Sequence, residues 1–434
     1  MYRLEAYDTM NGVHLNKRPI PFTSCSWSES WNAGGDMSVR IPMSRDAEGM
    51  DLDGLLVEQA TLLALWDGDR IVHAGPIMES PEWDAETQVL SVKCGDGWNL
   101  FDWRLVLDTR LRSMEFDGPI TVDDDNPSSE WVVGYAGSGG DIIKGLIGLA
   151  QSWGRLCVNV PIGYEPQTGG SPLSLSWAGW DFTTMSQAFS DVLDSANGGQ
   201  LRFDPQIQPD GRFRWQARWA QNGLTDHEWM WNTLAPRERI RFLGVASGGE
   251  PIINQVWASG GKNSDQLLMA RADDTDAQTV ETLLQAGSGS ASSNGSLAAL
   301  HAYAKSTLSA SRRDRVWKLQ AHASHQVRVG DHVALRVNDG FIHERATDGT
   351  RVSSLIPLVI TDISGDVSGE WLDIQARQYA ASIDGIRPGN TNPVAWLANR
   401  MDRLSRMTAM ALAPSGTQAY GTVGKIRELF GRTS

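Results

Sequence analysis

The stretch Thr61–Cys94, TLLALWDGDRIVHAGPIMESPEWDAETQVLSVKC, decides the fold class. Thr61–Trp66 is apolar, Asp67-Gly68-Asp69 is a turn, and Arg70–Pro76 runs back. An Asp-Gly pair between two apolar runs is a strong hairpin signal, because the turn needs a backbone conformation that glycine adopts without strain. The polar turn Glu82–Thr87 follows, and Gln88–Cys94 then alternates polar and apolar residues, as a half-buried strand does. These strands form a β-meander. Pro19, Pro21 and Pro42 punctuate the strands before it, so residues 1–120 read as a first β domain.

The same design recurs in residues 241–388. A strand (His332–Val337) meets Asn338-Asp339-Gly340, Leu355–Ser364 follows, then the acidic turn Gly365–Gly369, then WLDIQAR at Trp371–Arg377. Both copies read as strand, tight turn, strand, polar turn, strand. Further strands are expected at Ile253–Ala258, Val316–Ala321, Leu355–Ile363 and Glu370–Tyr379. The Gly/Ser stretch Ala286–Ser296 predicts a mobile loop, and a helix follows over Ser296–Leu308. The echo predicts two duplicated β-barrel domains. Two such units per chain let a trimer present six near-equivalent units around one axis.

Residues 121–240 form an α+β insertion. Ile142, Ile143, Leu146, Leu149 and Ala150 follow helical spacing, with Asp141 expected as N-cap. A second helix is expected over Thr184–Ser195 and ends at Asn197-Gly198-Gly199. Leu201–Phe203 and Phe213–Trp219 make a hairpin around Pro209-Asp210-Gly211. Residues 389–434 read as a helical tail. In it Leu397, Met401, Leu404 and Met407 repeat at heptad-like spacing, the pattern of a helix–helix interface.

The chain has 434 residues, enough for two to four domains, and a formal net charge of −14. That charge argues against a general nucleic-acid binder. The tail from Pro393 onward carries six basic and two acidic residues, a net +4, which leaves −18 on the body. Three widely spaced cysteines (Cys25, Cys94, Cys157) form no disulfide framework or zinc motif, which suits a reducing compartment. The N-terminus lacks the apolar core of a secretory signal, and no apolar run approaches the ~20 residues of a membrane span. The expectation is synthesis in a cytoplasm.

Signatures of chemistry fail in turn. Ala136 stands where a Gly-x-Ser-x-Gly elbow needs its first glycine. His227-Glu228 and His343-Glu344 lack the second histidine of a zinc protease. The Gly-rich Tyr135–Gly145 lacks the Gly-Lys-Ser/Thr ending of a phosphate loop, and reads as a loop entering a capped helix. His322, His325 and His332 and the acidic loop Asp123–Asn126 are weak metal candidates. No catalytic residue, metal site or cofactor is assigned, and the chain is read as no enzyme. The 18 tryptophans are spread from Trp27 to Trp396, which suits thin β cores and interfaces better than one sugar-stacking groove.

Ala64–Ser80, ALWDGDRIVHAGPIMES, resembles the signature of Gp37-like minor tail proteins of actinobacteriophages, which are similar to phage baseplate hubs and to the N-terminal part of tail-associated lysins. Phe189–Pro205 resembles the α+β segment of that family, and Val327–Gly340 and Leu358–Arg377 resemble its second barrel. The resemblance covers about residues 1–385. It implies two tail-tube-like β-barrels in a hub arrangement, in a homotrimeric ring at the tip of a long non-contractile tail. Such a ring joins the tail tube and distal tail protein to receptor-binding or tail-fibre proteins. It surrounds the tape-measure protein and the DNA exit channel. Two other readings are open: a carbohydrate-binding or cell-wall-degrading tail protein, motivated by the tryptophans, and a spike carrier of a contractile injection system.

Overall fold

The computed structural model describes residues 2–113, 130–154, 162–165, 173–194, 199–221, 223–247, 253–263, 266–278, 282–291, 297–310, 315–339, 341–342, 344–345, 351–352, 354–380 and 387–388. The chain is mostly β. Its first strands are β1 (Tyr2–Asp8), β2 (Ser24–Ser30), β3 (Ala33–Pro42), β4 (Thr61–Asp67), β5 (Arg70–Pro76), β6 (Glu82–Asp84) and β7 (Val89–Cys94). β4 and β5 pair around the expected Asp-Gly turn, where Gly68 has φ +59°. β5 then meets β7 at Ile77–Cys94, and β7 pairs with β3 and β3 with β2. The first unit is therefore ordered β2-β3-β7-β5-β4-β1.

Between the units lie β8 (Val132–Gly137), β9 (Ile162–Glu165), β10 (Leu173–Ala178), β11 (Gln200–Ile207) and β12 (Phe213–Ala220), with helices Gly139–Ser152 and Met185–Leu193. Ser138, not Asp141, caps the first helix. Asp141 is its third residue and returns a bond to the Ser138 N–H, closing a capping box. Thr184 caps the second helix.

The last part holds β13 (Glu228–Asn232), β14 (Ile240–Ser247), β15 (Gln255–Asn263), β16 (Gln266–Asp273), β17 (Gln285–Ala291), helix Leu297–Ala310, β18 (Arg315–His322), β19 (His332–Val337), the short β20 (Glu344–Arg345) and β21 (Arg351–Val352), β22 (Ser354–Asp366) and β23 (Trp371–Ala380). One expectation fails here. Much of the Gly/Ser stretch is not a loop, because Gln285–Ala291 pairs in parallel with β15. Residues 292–296 lie outside the described residues.

The second unit is ordered β14-β18-β23-β22-β19-β13, the same order as the first. Register and burial agree as well. Met37 faces Cys94 in the first unit, as Trp317 faces Ala376 in the second. Ile77 faces Cys94, as Ile360 faces Ala376. Leu63 faces Gly75, as Val333 faces Leu358. Met37, Trp317, Cys94, Ala376, Ile77, Ile360, Leu63 and Val333 are all at most 2% exposed and belong to one core. The units differ at their last strand, where β1 is antiparallel to β4 but β13 is parallel to β19.

The two units are fused. Ser26–Ser30 of β2 pairs antiparallel with Asp362–Asp366 of β22, so one sheet runs β14-β18-β23-β22-β2-β3-β7-β6. The far face of β4 and β5 (Leu62, Ala64, Trp66, Ala74) packs on the middle layer, against Ile142, Leu146, Phe189 and Trp215 among others. A small third core, including Val256, Ala270, Leu300 and Ala304, holds helix Leu297–Ala310 on β15 and β16.

Backbone crowding pins the first unit. A Cβ on Gly75 would sit 1.6 Å from the Gly95 carbonyl oxygen, and a backbone oxygen has no rotamer to escape by. Gly148 is an exposed interior helix position with nothing within 4 Å of its Cβ site. Gly75→Ala is expected to cost ~3 kcal/mol, the upper range for overpacking. Gly148→Ala is expected to gain up to ~1 kcal/mol from helix propensity. Chemical denaturation of both variants measures this; a neutral Gly75→Ala contradicts the packing described.

Candidate assembly interface

The residues weighed for chemistry fall into structural roles. Tyr135–Gly145 is β8 entering the capped helix. His322 ends β18, and its ring meets Ser324 Oγ; His325 meets the Glu238 carbonyl, and His332 meets Thr225 Oγ1. These three rings thus have separate partners. Among the described residues no group of His, Cys, Asp and Glu could hold a metal ion. Asp123–Asn126 lies outside the described residues, as do Leu397, Met401, Leu404 and Met407. Trp215, Trp219, Trp231 and Trp317 are at most 2% exposed, so these rings serve the cores. Cys25 and Cys94 are unbonded and buried, and burial pushes the Cys25 thiol up to about 12. Among the described residues no helix is long and apolar enough to cross a membrane.

A charged cluster ties the middle layer to the second unit. Arg202 on β11 binds Asp204 through Nε (2.7 Å), pairs with Asp226, and donates to the Val329 carbonyl (2.8 Å). Arg218 on β12 reaches Asp226 (2.8 Å) and Asp204 (3.2 Å), and Arg328 reaches Asp204 (3.3 Å). Burial alone raises a carboxyl's pKa, but here the guanidiniums win: Asp226 is held down to about 2, chiefly by Arg202 and Arg218, and Asp204 is lowered too. Asn32 adds a second tie, donating to the Gly199 carbonyl (3.0 Å) and accepting from the Leu201 N–H (3.0 Å). Alternation in QLRFDPQI puts Arg202 and Asp204 on one face of β11, but their partners lie up to 127 residues away, so the sequence did not expose the cluster.

Next to this cluster, burial drives Asp96 up to about 7, although the Gly35 N–H (2.6 Å) and Trp98 N–H (2.8 Å) favour its charged form. His73 beside it is held below its ordinary value, again by burial first. His73 meets the Gly95 carbonyl and Asp96 accepts from the Gly35 N–H, so both brace the turn after β7; His73 is buried and Asp96 half-buried.

The two ends of the long sheet differ from its interior. β6 pairs with β7 on one edge and β14 with β18 on one edge; among the described residues no strand covers their other edges. β6 carries exposed Glu82, Trp83 and Asp84, with Trp83 46% exposed, and Glu86 follows in the turn. β14 is approached through exposed Arg237 and Arg239 and carries exposed Arg241 and Leu243. Arg241 lies over the Trp371 ring at 3.8 Å. The sheet thus ends in an acidic edge with a bare indole and a basic edge with bare aliphatic surface.

No family model and no curated protein matches the chain. Solved structures do. The tail protein from Neisseria meningitidis MC58 is 13% identical with a TM-score of 0.49, over 87% of this chain and 96% of that one. The 43 kDa tail protein of prophage MuSo2 from Shewanella oneidensis is 9% identical with a TM-score of 0.49, over 86% of this chain and 98% of that one. The prophage tail protein gp18 from Listeria monocytogenes EGD-e is 7% identical with a TM-score of 0.47, over 93% of this chain and 99% of that one.

The cluster makes a stability prediction. Asp204→Ala strands buried guanidinium charge and is expected to cost ~3–5 kcal/mol. Because Asp204 and Asp226 have folded-state values below the unfolded one, their contribution is full above pH ~4 and is lost as pH falls toward 2. Urea titrations from pH 2 to pH 6 check this; an unchanged acid limb in Asp204→Ala contradicts it.

Proposed function

We propose that this chain is a non-enzymatic structural protein of a phage virion, a hub at the tip of a long non-contractile tail. The observation that carries this reading is the duplication. Two units with the same six-strand order, and with matching register and buried face in all but the last strand, are fused in one chain, so a homotrimer offers six near-equivalent units to a six-fold tail tube. Duplication of this kind suits a symmetry match. The Gp37-like sequence resemblance supports the same reading, as do the two barrels it implies.

The remaining parts fit that assignment. An acidic ring wall repels phosphate, so DNA passes without adsorbing. The tape-measure protein ends in this channel, the distal tail protein and tube sit above, and receptor-binding or fibre proteins sit below. Leu397, Met401, Leu404 and Met407 form a seam near the axis or on a neighbouring tail protein, since an isolated helix of that length needs a partner in water.

Sedimentation equilibrium tests the assignment. The expected result is a species of three times the 47.5 kDa chain mass. A monomer across the accessible concentration range contradicts it. Removal of residues 393–434 is expected to lower trimer stability or the incorporation of the protein into infectious tails. Normal trimerisation together with normal phage yield would show that the tail has no assembly role.

A further inference from the structure

The internal junction between the units is a template for a junction between copies. β2 and β14 are equivalent: Trp27 faces Met37, as Val245 faces Trp317. Ser26, Trp27 and Ser28 therefore correspond to Gly244, Val245 and Ala246. The end of β22 and β6 are also equivalent. Trp83 faces Leu90 and Glu82 faces Ser91 on β7, while Ser364 faces Asp373 on β23. With Leu90 matching Leu372, the residues Glu82, Trp83 and Asp84 take the places of Ser364, Gly365 and Asp366. Within the chain, Gly365 pairs with Trp27 across the fused edge. The strands that would repeat this pairing, β14 and β6, are the two ends of the sheet, and among the described residues their outer edges carry no strand.

We propose that β14 of one copy adds onto β6 of the next copy as an antiparallel strand, with Gly244 opposite Asp84, Val245 opposite Trp83 and Ala246 opposite Glu82. Three observations support a second copy of this chain as the occupant. The pairing repeats a register the chain already uses. The same direction lays exposed Arg239 and Arg241 alongside exposed Asp84 and Glu86, opposite charges on the two edges. It also covers Trp83, which is 46% exposed and holds the place that Gly365 has at the internal junction. A short, charged edge strand commonly guards against pairing, but here the opposing edge carries the complementary charge. The contact is heterologous, different surfaces meeting head to tail, so it closes into a ring when the rotation allows. The inference rests on the ring reading above and adds its residue-level contact.

Disulfide trapping of the full chain tests it. In Trp83→Cys/Val245→Cys, mild oxidation is expected to give covalent multimers that end at the closed ring and collapse on reduction. The yield is expected to be about tenfold above the shifted pair Asp84→Cys/Val245→Cys, because a disulfide tolerates little displacement. An oligomer that forms without this cross-link overturns the edge contact but leaves the ring reading standing. A folded monomer overturns both. If the double variant does not fold, hydrogen exchange of the unmodified oligomer decides: slow exchange of those amides of Gly244–Ala246 that point away from β18 supports the contact, and fast exchange of them overturns it.

Discussion

The structure depends on the pairing of five residues of β2, Ser26–Ser30, with Asp362–Asp366 of β22. Two strands more than 300 residues apart meet there and turn two similar units into one sheet over one core. The junction has its own packing requirement. A Cβ on Gly365 would lie 3.0 Å from the Trp27 indole and 2.8 Å from Leu372, so glycine lets the large ring close over the strand. Each backbone bond contributes only ~1 kcal/mol net. The larger effect is that Trp27, Ile363 and Leu372 are withdrawn from water into a core both units share.

The middle layer depends on that junction in turn. It buries the outer face of β4 and β5 and is tied to the second unit by the Arg202–Asp204–Asp226 cluster and Arg328. The cluster lies where three parts of the chain meet. Buried charge of this sort adds little stability over an apolar replacement, but removing one partner is costly. The cluster links β11 and β12 to Val329 and Arg328 of the second unit, which fixes one relative placement of the parts. His73, buried, and Asp96, half-buried, brace the same region.

Much of this was legible in the residues. Asp67-Gly68 set the first hairpin, and alternation in Gln88–Cys94 set β7. The echo around His332–Val337 pointed to the second unit, because strand–turn chemistry is local. What was hidden was non-local. Asp141 looked like a cap, yet Ser138 has the extended backbone that lets a side chain reach back to the helix. Gln285–Ala291 looked like a linker, yet parallel pairing with β15 supplies bonds that its composition does not advertise. The Arg202 cluster and the fused edge arise from residues distant in sequence, and periodicity carries no information about such partners.

The central claim is that the duplicated units are equivalent positions in one ring. Electron cryomicroscopy of the purified oligomer tests it most directly. The account predicts a trimer whose first and second units alternate around the axis and superimpose by a rotation of about 60°, the angle of six equivalent places. A closed assembly in which the second units do not share the ring with the first, or in which the two are related by no such rotation, contradicts it.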